Sequence, residues 1–493
     1  MFELISAFGF LGTHQVVTAI FSALRTKLIA ILLGPDGVGI FSQAKSFQLI
    51  TWFMMTLGLN DGAINLVAEA NTQEDRDREK RIIVTVSFVY IILGSLTLGL
   101  SWIFRSPLAE WIFGNQTYSD FIVLAGVSAF FLAQYRLMLS IFRGRLKWKL
   151  YATVAIVGYA IGISISLVLI WVFGLQGAVI SMVVTQVAGL IFGLLIAKLP
   201  LREGLIGNIL PDWQVIKALL KYVGPLLGRQ IILLITGIYV RRAIIVYLGA
   251  DQSGIYHVLV SVSDVYFWAI VQPVTAYSMP KAATLVKDRK KIVEVQNNGI
   301  RLGLLGIFPI ITLVYGLREI WIPIFFSNEF LIAGNLLLWW LIGDVFRAIR
   351  VILNVDLIPL GRLNFIFLHT LFYCGGLVLL SVPFMPSIGL EVVAVGYLVM
   401  NILYFVVSFA YHLRSTDFRL NTDNLILLMK ASGVVAFALW FSHISEMDAT
   451  RFLVNVLILF VMFVGLLKSS EQKFAISFIQ QKVKSVLGFP ENE

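Results

Sequence analysis

One stretch of this chain is written twice, and the repetition constrains the fold more than any other feature. The first copy reads Lys27-Leu-Ile-Ala-Ile-Leu-Leu-Gly34-Pro-Asp36-Gly-Val-Gly39-Ile40-Phe41. About 215 residues later the chain reads Arg242-Ala-Ile-Ile-Val-Tyr-Leu-Gly249-Ala-Asp251-Gln-Ser-Gly254-Ile255-Tyr256, with the basic residue, the apolar run and the Gly-x-Asp-x-x-Gly-Ile-aromatic signature in one register. Fainter echoes keep nearly the same offset: Trp111-Ile-Phe113-Gly-Asn115 with Ile324-Phe-Phe326-Ser-Asn328, Gly144-Arg145-Leu146 with Gly361-Arg362-Leu363, and Gly174-Leu175 with Gly389-Leu390. Shared order and spacing identify a duplicated unit, one copy near residues 8–199 and the other near 222–413. The expected division is an N-terminal lobe at 1–199, a cytoplasmic linker at 200–221, a C-terminal lobe at 222–413, and an extra hairpin with a tail at 414–493.

What each copy is made of follows from hydropathy. With 59% hydrophobic and 13% charged residues and a mean hydropathy of +0.88, the 493-residue chain has more apolar surface than a water-soluble core can hide. It reads as an all-α, polytopic membrane protein. Fourteen apolar runs have the length of a crossing: 8–33, 40–66, 82–104, 121–142, 150–173, 176–197, 223–248, 254–280, 299–317, 331–359, 363–383, 390–411, 425–442 and 451–467. Six spans per copy put both copies in the membrane the same way round, as two six-helix lobes related by a pseudo-two-fold axis along the membrane normal. The first run leads directly into Gly34-Pro35 and reads as a span that stays attached.

The net charge of +10 is one-sided in placement. Basic residues collect in loops at Arg76–Arg81, Arg143–Lys149, Lys198–Lys221 and Lys281–Lys291, which orients the chain with both termini cytoplasmic. No basic arm interleaved with aromatics is present, so nucleic acid is not an expected partner. On the opposite side, Arg105–Phe121 and Arg318–Phe330 occupy matching places and are rich in aromatics, as an interfacial belt or a gate over the outer mouth would be. A short amphipathic helix is expected at Trp213–Leu220, and an interfacial helix carrying Phe474, Phe478, Ile479, Val483, Val486 and Leu487 in the tail. Cys374 stands alone, which excludes an intrachain disulfide.

Charges inside apolar runs need a reason, because each costs about 2.5–3.5 kcal/mol at the bilayer centre. Arg25 and Lys27 lie about two turns before the outer end of span 1, and Arg241 and Arg242 hold the equivalent place in span 7. Two readings fit: side chains that snorkel to the outer surface, or a basic cavity wall for an anionic substrate, for which guanidinium groups match phosphate oxygens. Span 10 carries Asp344, Arg347, Arg350 and Asp356, with the first two spaced to share a face as an ion pair and Arg350 left as an excess cation. Asp264 and Asp61 sit in spans 8 and 2, where each either couples transport to a proton or cation or pairs with an arginine.

No Gly-x4-Gly-Lys-[Ser/Thr] loop, His-Glu-x-x-His or paired-Cys pattern occurs, so no ATPase activity, metal or cofactor is expected, and no soluble segment is large enough for a transferase. A carrier is expected rather than an enzyme.

Four stretches carry a resemblance: Leu33-Gly34-Pro35-x-Gly37-x-Gly39; Gly254-Ile255-Tyr256 with Ser263-Asp264-Val-Tyr266; Phe326-Ser-Asn328-x-Phe330; and Trp340-Leu-Ile-Gly343-Asp344-Val with Arg347. Over about residues 1–413 the chain resembles the Wzx-type O-antigen and common-antigen flippases, a polysaccharide-transporter branch of the multidrug/oligosaccharidyl-lipid/polysaccharide exporter superfamily. The resemblance implies a two-lobed bundle that turns a polyprenyl-diphosphate-linked oligosaccharide from the cytoplasmic to the periplasmic leaflet of the bacterial inner membrane by alternating access. It implies a basic cavity built from Arg25, Lys27, Arg241, Arg242, Arg347 and Arg350, with Asp61, Asp264 and Asp344 in coupling or gating. Expected partners are the lipid-linked glycan, membrane lipids, and a polysaccharide polymerase and chain-length regulator; a two-lobed chain can work as a monomer. Twelve spans are usual in that branch, and lipid II flippases of the same superfamily have fourteen. The alternative is a cation-coupled drug or metabolite antiporter of the same superfamily, for which an acidic cavity is expected.

Overall fold

The computed structural model describes residues 2–197, 211–220 and 224–444. The expected span at 451–467, the tail helix and most of the linker lie outside the described residues. Among the described residues there is no strand. The order is α1 (Phe2–Thr56), α2 (Asn60–Thr72), α3 (Arg76–Ile103), α4 (Arg105–Phe113), α5 (Ser119–Gly144), α6 (Trp148–Ala197), α7 (Trp213–Leu220) and α8 (Gly224–Leu248). It continues through α9 (Ala250–Thr284), α10 (Arg289–Gly316), α11 (Arg318–Phe325), α12 (Ala333–Leu353), α13 (Leu363–Ser381), α14 (Glu391–Ser415) and α15 (Thr422–Ile444).

Eight helices among the described residues are long and apolar enough to cross a membrane. That number is smaller than the count of apolar runs partly because consecutive runs fuse. α6 takes in two of them, broken only at Gly174 (φ 55, ψ −129), and α1 likewise passes Gly34 (φ 62, ψ −165), after which Pro35 stands at the first helical position, where its fixed φ suits a helix start. α12 has the length of a crossing but carries Asp344, Arg347 and Arg350. Large apolar side chains stand exposed on these helices, among them Trp171 at 74%, Leu195 at 73% and Leu379 at 69%, a surface suited to lipid and not to water. The chain is an all-α, multi-pass membrane protein.

One expected span is corrected. The run 40–66 is not a single helix: α1 ends at Thr56, Leu57 (φ 47) and Gly58 (φ 69) take left-handed conformations, and α2 begins at Asn60. Hydropathy does not register a turn whose residues are themselves apolar or small. Asp61 therefore stands in the first turn of a separate helix instead of mid-span.

The chain divides into two compact units, Met1–Val258 with Ile322–Ala333 and Leu363–Gly396, and Leu259–Trp321 with Gly334–Arg362 and Tyr397–Glu493. In the first, α1, α5 and α6 pack together. The two halves of α6 approach through small residues: a Cβ on Gly158 would stand 2.8 Å from the Cα of Gly189, and one on Gly162 2.7 Å from that of Thr185. The helix expected at Trp213–Leu220 is present, buries Val215 and Leu219 in a core with Ile82, Val86 and Tyr90, and is tied down where the Asp212 amide donates to Thr85 Oγ1 at 2.9 Å.

The two copies of the repeated stretch meet within this unit. A Cβ on Gly39 would lie 2.0 Å from the Ala250 carbonyl oxygen, and one on Gly254 2.1 Å from that of Pro35. Gly39 and Gly254 are equivalent in the repeat, as are Pro35 and Ala250, so the contact is reciprocal, the signature of a local two-fold relation. Neither position has room for a side chain.

In the second unit, α10 presents Gly299, Gly303 and Gly306. Added Cβ atoms there would meet Ile352 at 2.8 and 2.4 Å and Ile270 at 2.7 Å, so α12 and α9 sit close against it. Gln296 Nε2 donates to the Leu353 carbonyl at 2.7 Å. Asn297 donates to the Arg419 carbonyl and accepts from the Asn421 amide, and the Asn424 side-chain amide donates to the Asn297 carbonyl, so α15 is fastened beside α10.

Candidate functional site

Charged residues gather in both units. In the second unit the cluster is built by α9, α12 and α14. Asp344, fully buried, accepts from Ser263 Oγ at 2.6 Å, from Tyr397 Oη at 2.6 Å and from Tyr266 Oη. Helical spacing explains how these meet: Ser263 and Tyr266 are three residues apart and share a face of α9. Gly343 makes room for Tyr397, since a Cβ there would stand 2.8 Å from the ring, and Trp340 stacks on the same ring with centroids 3.9 Å apart.

Arg347 lies one turn beyond Asp344. Its Nη1 is 3.5 Å from Asp344 Oδ1 and 3.4 Å from Tyr397 Oη, its Nη2 is 3.6 Å from Asp264 Oδ1, and its guanidinium carbon is 3.9 Å from the centroid of the Phe267 ring. The two carboxylates differ in access: the Asp264 side chain is 52% exposed and that of Asp344 0%. Arg350 stands over the Tyr404 ring at 3.8 Å. The expected Asp344–Arg347 pairing is therefore present but is part of a larger set: two carboxylates, one guanidinium, two phenols and a serine.

Asp356, expected as a charge in span 10, belongs to a deeper pair in the same unit whose histidine the sequence did not single out. His412 and Asp356 are both buried, with His412 Nε2 3.0 Å from Asp356 Oδ1 and Nδ1 2.8 Å from the Ser408 carbonyl. A carbonyl only accepts, so Nδ1 carries a proton, and a further proton has to lie between Nε2 and the carboxylate. The available signal was a histidine in the last turn of a helix, opposite an aspartate in a turn.

In the first unit the basic pairs split into two kinds. Arg25 and Arg241 are each 6% exposed, which rules out snorkelling in this structure. Arg25 lies over the Phe41 ring at 5.3 Å and Arg241 over the Tyr256 ring at 5.1 Å. Those rings are the equivalent aromatics of the repeated signature, so each copy shelters an arginine on its own Gly-Ile-aromatic end. Arg241 Nη1 also donates to Ser42 Oγ at 2.6 Å and to the Ser253 carbonyl at 3.4 Å. Lys27 and Arg242 turn elsewhere. Lys27 Nζ donates to the carbonyls of Pro323 and Phe326, the latter at 2.5 Å, and Arg242 Nε donates to the carbonyl of Trp111. The side chain of Asp61 lies outside the described residues.

The aromatics of the segments 105–121 and 318–330 divide as well. Trp111 is exposed, whereas Phe113 and Phe326 are buried, so only part of the expected belt is exposed.

The sequence pattern of a family described as polysaccharide biosynthesis protein matches residues 28–333, more than half of the chain. A lipid III flippase of Escherichia coli (strain K12) is 23% identical over 384 residues, covering 77% of this chain and 91% of that protein, and the lipid III flippase of Shigella flexneri matches equally. Among solved structures, the lipid II flippase MurJ in an inward closed conformation shares the fold with a TM-score of 0.67 at 14% identity, over 92% of this chain and 97% of that one. An inward-facing multidrug-resistance MATE family transporter of the MOP superfamily has a TM-score of 0.66 at 15% identity, over 80% and 93%.

Proposed function

The chain belongs to the family of polysaccharide biosynthesis proteins, and we propose that it is a flippase carrying a polyprenyl-diphosphate-linked oligosaccharide, an O-antigen or related unit, from the cytoplasmic to the periplasmic leaflet of the bacterial inner membrane. On this reading both termini are cytoplasmic, and residues 1–199 and 222–413 are the two lobes of an alternating-access carrier that works as a monomer alongside a polymerase and a chain-length regulator.

The observation that carries the reading is Arg347, a guanidinium inside an apolar bundle whose nearest anions are a half-exposed carboxylate and a fully buried one. Asp344 is fixed by three hydroxyl donors and keeps Arg347 in position. Asp264 is the exchangeable partner: a diphosphate offers the guanidinium fork more acceptor oxygens than Asp264 does, and can take its place. Arg350, one turn along, supplies a second cation, and Arg25, Lys27, Arg241 and Arg242 line the route in other states of the cycle. Once displaced, Asp264 takes a proton or a cation, which ties substrate entry to coupling; Asp61 and Asp344 belong to gating. The similarity to a lipid III flippase supports the lipid-linked glycan as the cargo.

The test is lipid translocation in reconstituted vesicles with a fluorescent polyprenyl-diphosphate oligosaccharide. Wild type is expected to flip it, Arg347→Gln to lose at least about tenfold in rate with the helical fold intact, and Arg347→Lys to fall between, because a charge without the fork is retained. Wild-type protein that moves no lipid but exports organic cations would put the antiporter in place of the flippase.

A further inference from the structure

We propose that Lys27 and Arg242 form a pair of symmetry-related latches that hold the outer ends of spans 1 and 7 shut, and that in this closed state the two residues gate transport by gripping backbone, before they face the substrate route in other states of the cycle. The inference uses the orientation assigned above to call that end outer; the contacts themselves do not depend on it.

Lys27 and Arg242 occupy the same place in the two copies of the repeat, at the head of the apolar run that leads to the glycine signature. Each reaches into the other copy. Lys27 donates to the carbonyls of Pro323 and Phe326, at the C-terminal end of α11, and Arg242 donates to the carbonyl of Trp111, at the C-terminal end of α4. α4 and α11 are themselves equivalent: both are short helices followed by a 3₁₀ turn, Gln116–Tyr118 and Asn328–Ile332. A cation from copy one thus caps the short helix of copy two, and the reverse holds. The last carbonyls of a helix lack intrahelical donors and sit at the negative end of its dipole, so a cation is the natural cap for each.

The reciprocity matches the glycine crossing, where Gly39 and Gly254 touch the backbone of Ala250 and Pro35. Gln43 fastens the same region from the interior. It is fully buried, and its Nε2 donates to the carbonyls of Ile112 at 3.1 Å and Ile238 at 3.3 Å, taking the residue next to the one Arg242 holds. Opening this end of spans 1 and 7 requires both cations to let go. A cavity of about 520 Å³, lined by Ser106, Glu110, Trp111, Gln116 and Val246, lies beside Arg242 and gives its side chain a place to withdraw, with Glu110 as an alternative anion.

The experiment is a labelling assay without any lipid substrate, so its outcome is independent of the flippase reading. Val38, 1% exposed in the crossing stretch, is replaced by cysteine in a Cys374→Ala background of the full chain, and reaction with a membrane-impermeant maleimide is followed from the outer face in vesicles. With both latches intact, labelling is expected to be slow. Lys27→Gln or Arg242→Gln should each raise the rate about tenfold, and the double variant should raise it further, as expected when charge-assisted hydrogen bonds to a helix end are removed. Arg242→Lys, which keeps a donor and the charge, should restore slow labelling, a rescue that a misfolded protein would not show. If Lys27→Gln and Arg242→Gln label at the parent rate, the latch is overturned. Retention of the labelling effect in a protein that flips no lipid would sink the proposed cargo and leave the latch standing.

Discussion

Asp344 faces three hydroxyl donors and one guanidinium in a fully buried place, so removing the carboxylate takes an acceptor from all of them at once. Asp344→Ala is expected to destabilise the protein by about 3–5 kcal/mol, as when one partner of a buried charge set is deleted. Tyr397→Phe, which removes one donor and keeps the ring stacked on Trp340, should cost about 1 kcal/mol. Thermal unfolding in detergent measures both, and equal losses would show that the Tyr397 hydroxyl by itself carries the effect of the Asp344 carboxylate. Asp264 is the contrast: half exposed, it should change translocation on replacement by Asn with little effect on stability. The Asp344–Arg347 spacing was legible in the sequence because a helix brings positions three apart together, and Ser263 and Tyr266 lay inside a motif that could be quoted. Tyr397 was not, since a tyrosine in an apolar run shows no sign of where its hydroxyl points.

The glycines act at the scale of helices. Gly254→Ala would drive a Cβ to 2.1 Å from the Pro35 carbonyl oxygen, a backbone atom that cannot swing aside, and the expected result is loss of folded protein. Gly361→Ala, at φ +68 with open space around it, meets only backbone strain of about 1–2 kcal/mol. Comparing expression and unfolding of the two variants separates close packing from strain; equal effects would mean the crossing can spread. At the N-terminus of α10, the Asp288 side chain accepts from the Lys291 amide, and that hydrogen bond holds its carboxyl below the usual range. The cap is accordingly present above the carboxylate range and is lost as pH falls through the lowered value. Hydrogen exchange of the first turn of α10 should speed up in acid for wild type but not for Asp288→Asn.

For the whole chain, the assigned orientation puts α4 and its 3₁₀ turn on the periplasmic face and the Lys281–Lys291 loop in the cytoplasm. A single cysteine at Gln116 in the Cys374→Ala background should react with an impermeant maleimide on intact cells, and one at Lys287 should react only after permeabilisation. The reverse pattern would invert the proposed direction of transport.

The sequence by itself determined that the chain is helical, that it lives in a membrane, and that it was built by duplication, because hydropathy and repetition are properties of residues in order and need no neighbours in space. It also marked the cations, since a charge in an apolar run is conspicuous wherever its side chain goes. Only the tertiary structure decided what each cation does. Arg25 and Arg241 lie over aromatic rings, Lys27 and Arg242 grip the ends of helices drawn from the opposite copy, and Arg347 sits between a sheltered carboxylate and an accessible one. Those partners lie far away in sequence, and a hydrogen bond depends on distance and direction in space. The same limit hid the break at Leu57-Gly58 and the His412–Asp356 pair, where local conformation and burial, not composition, set the outcome.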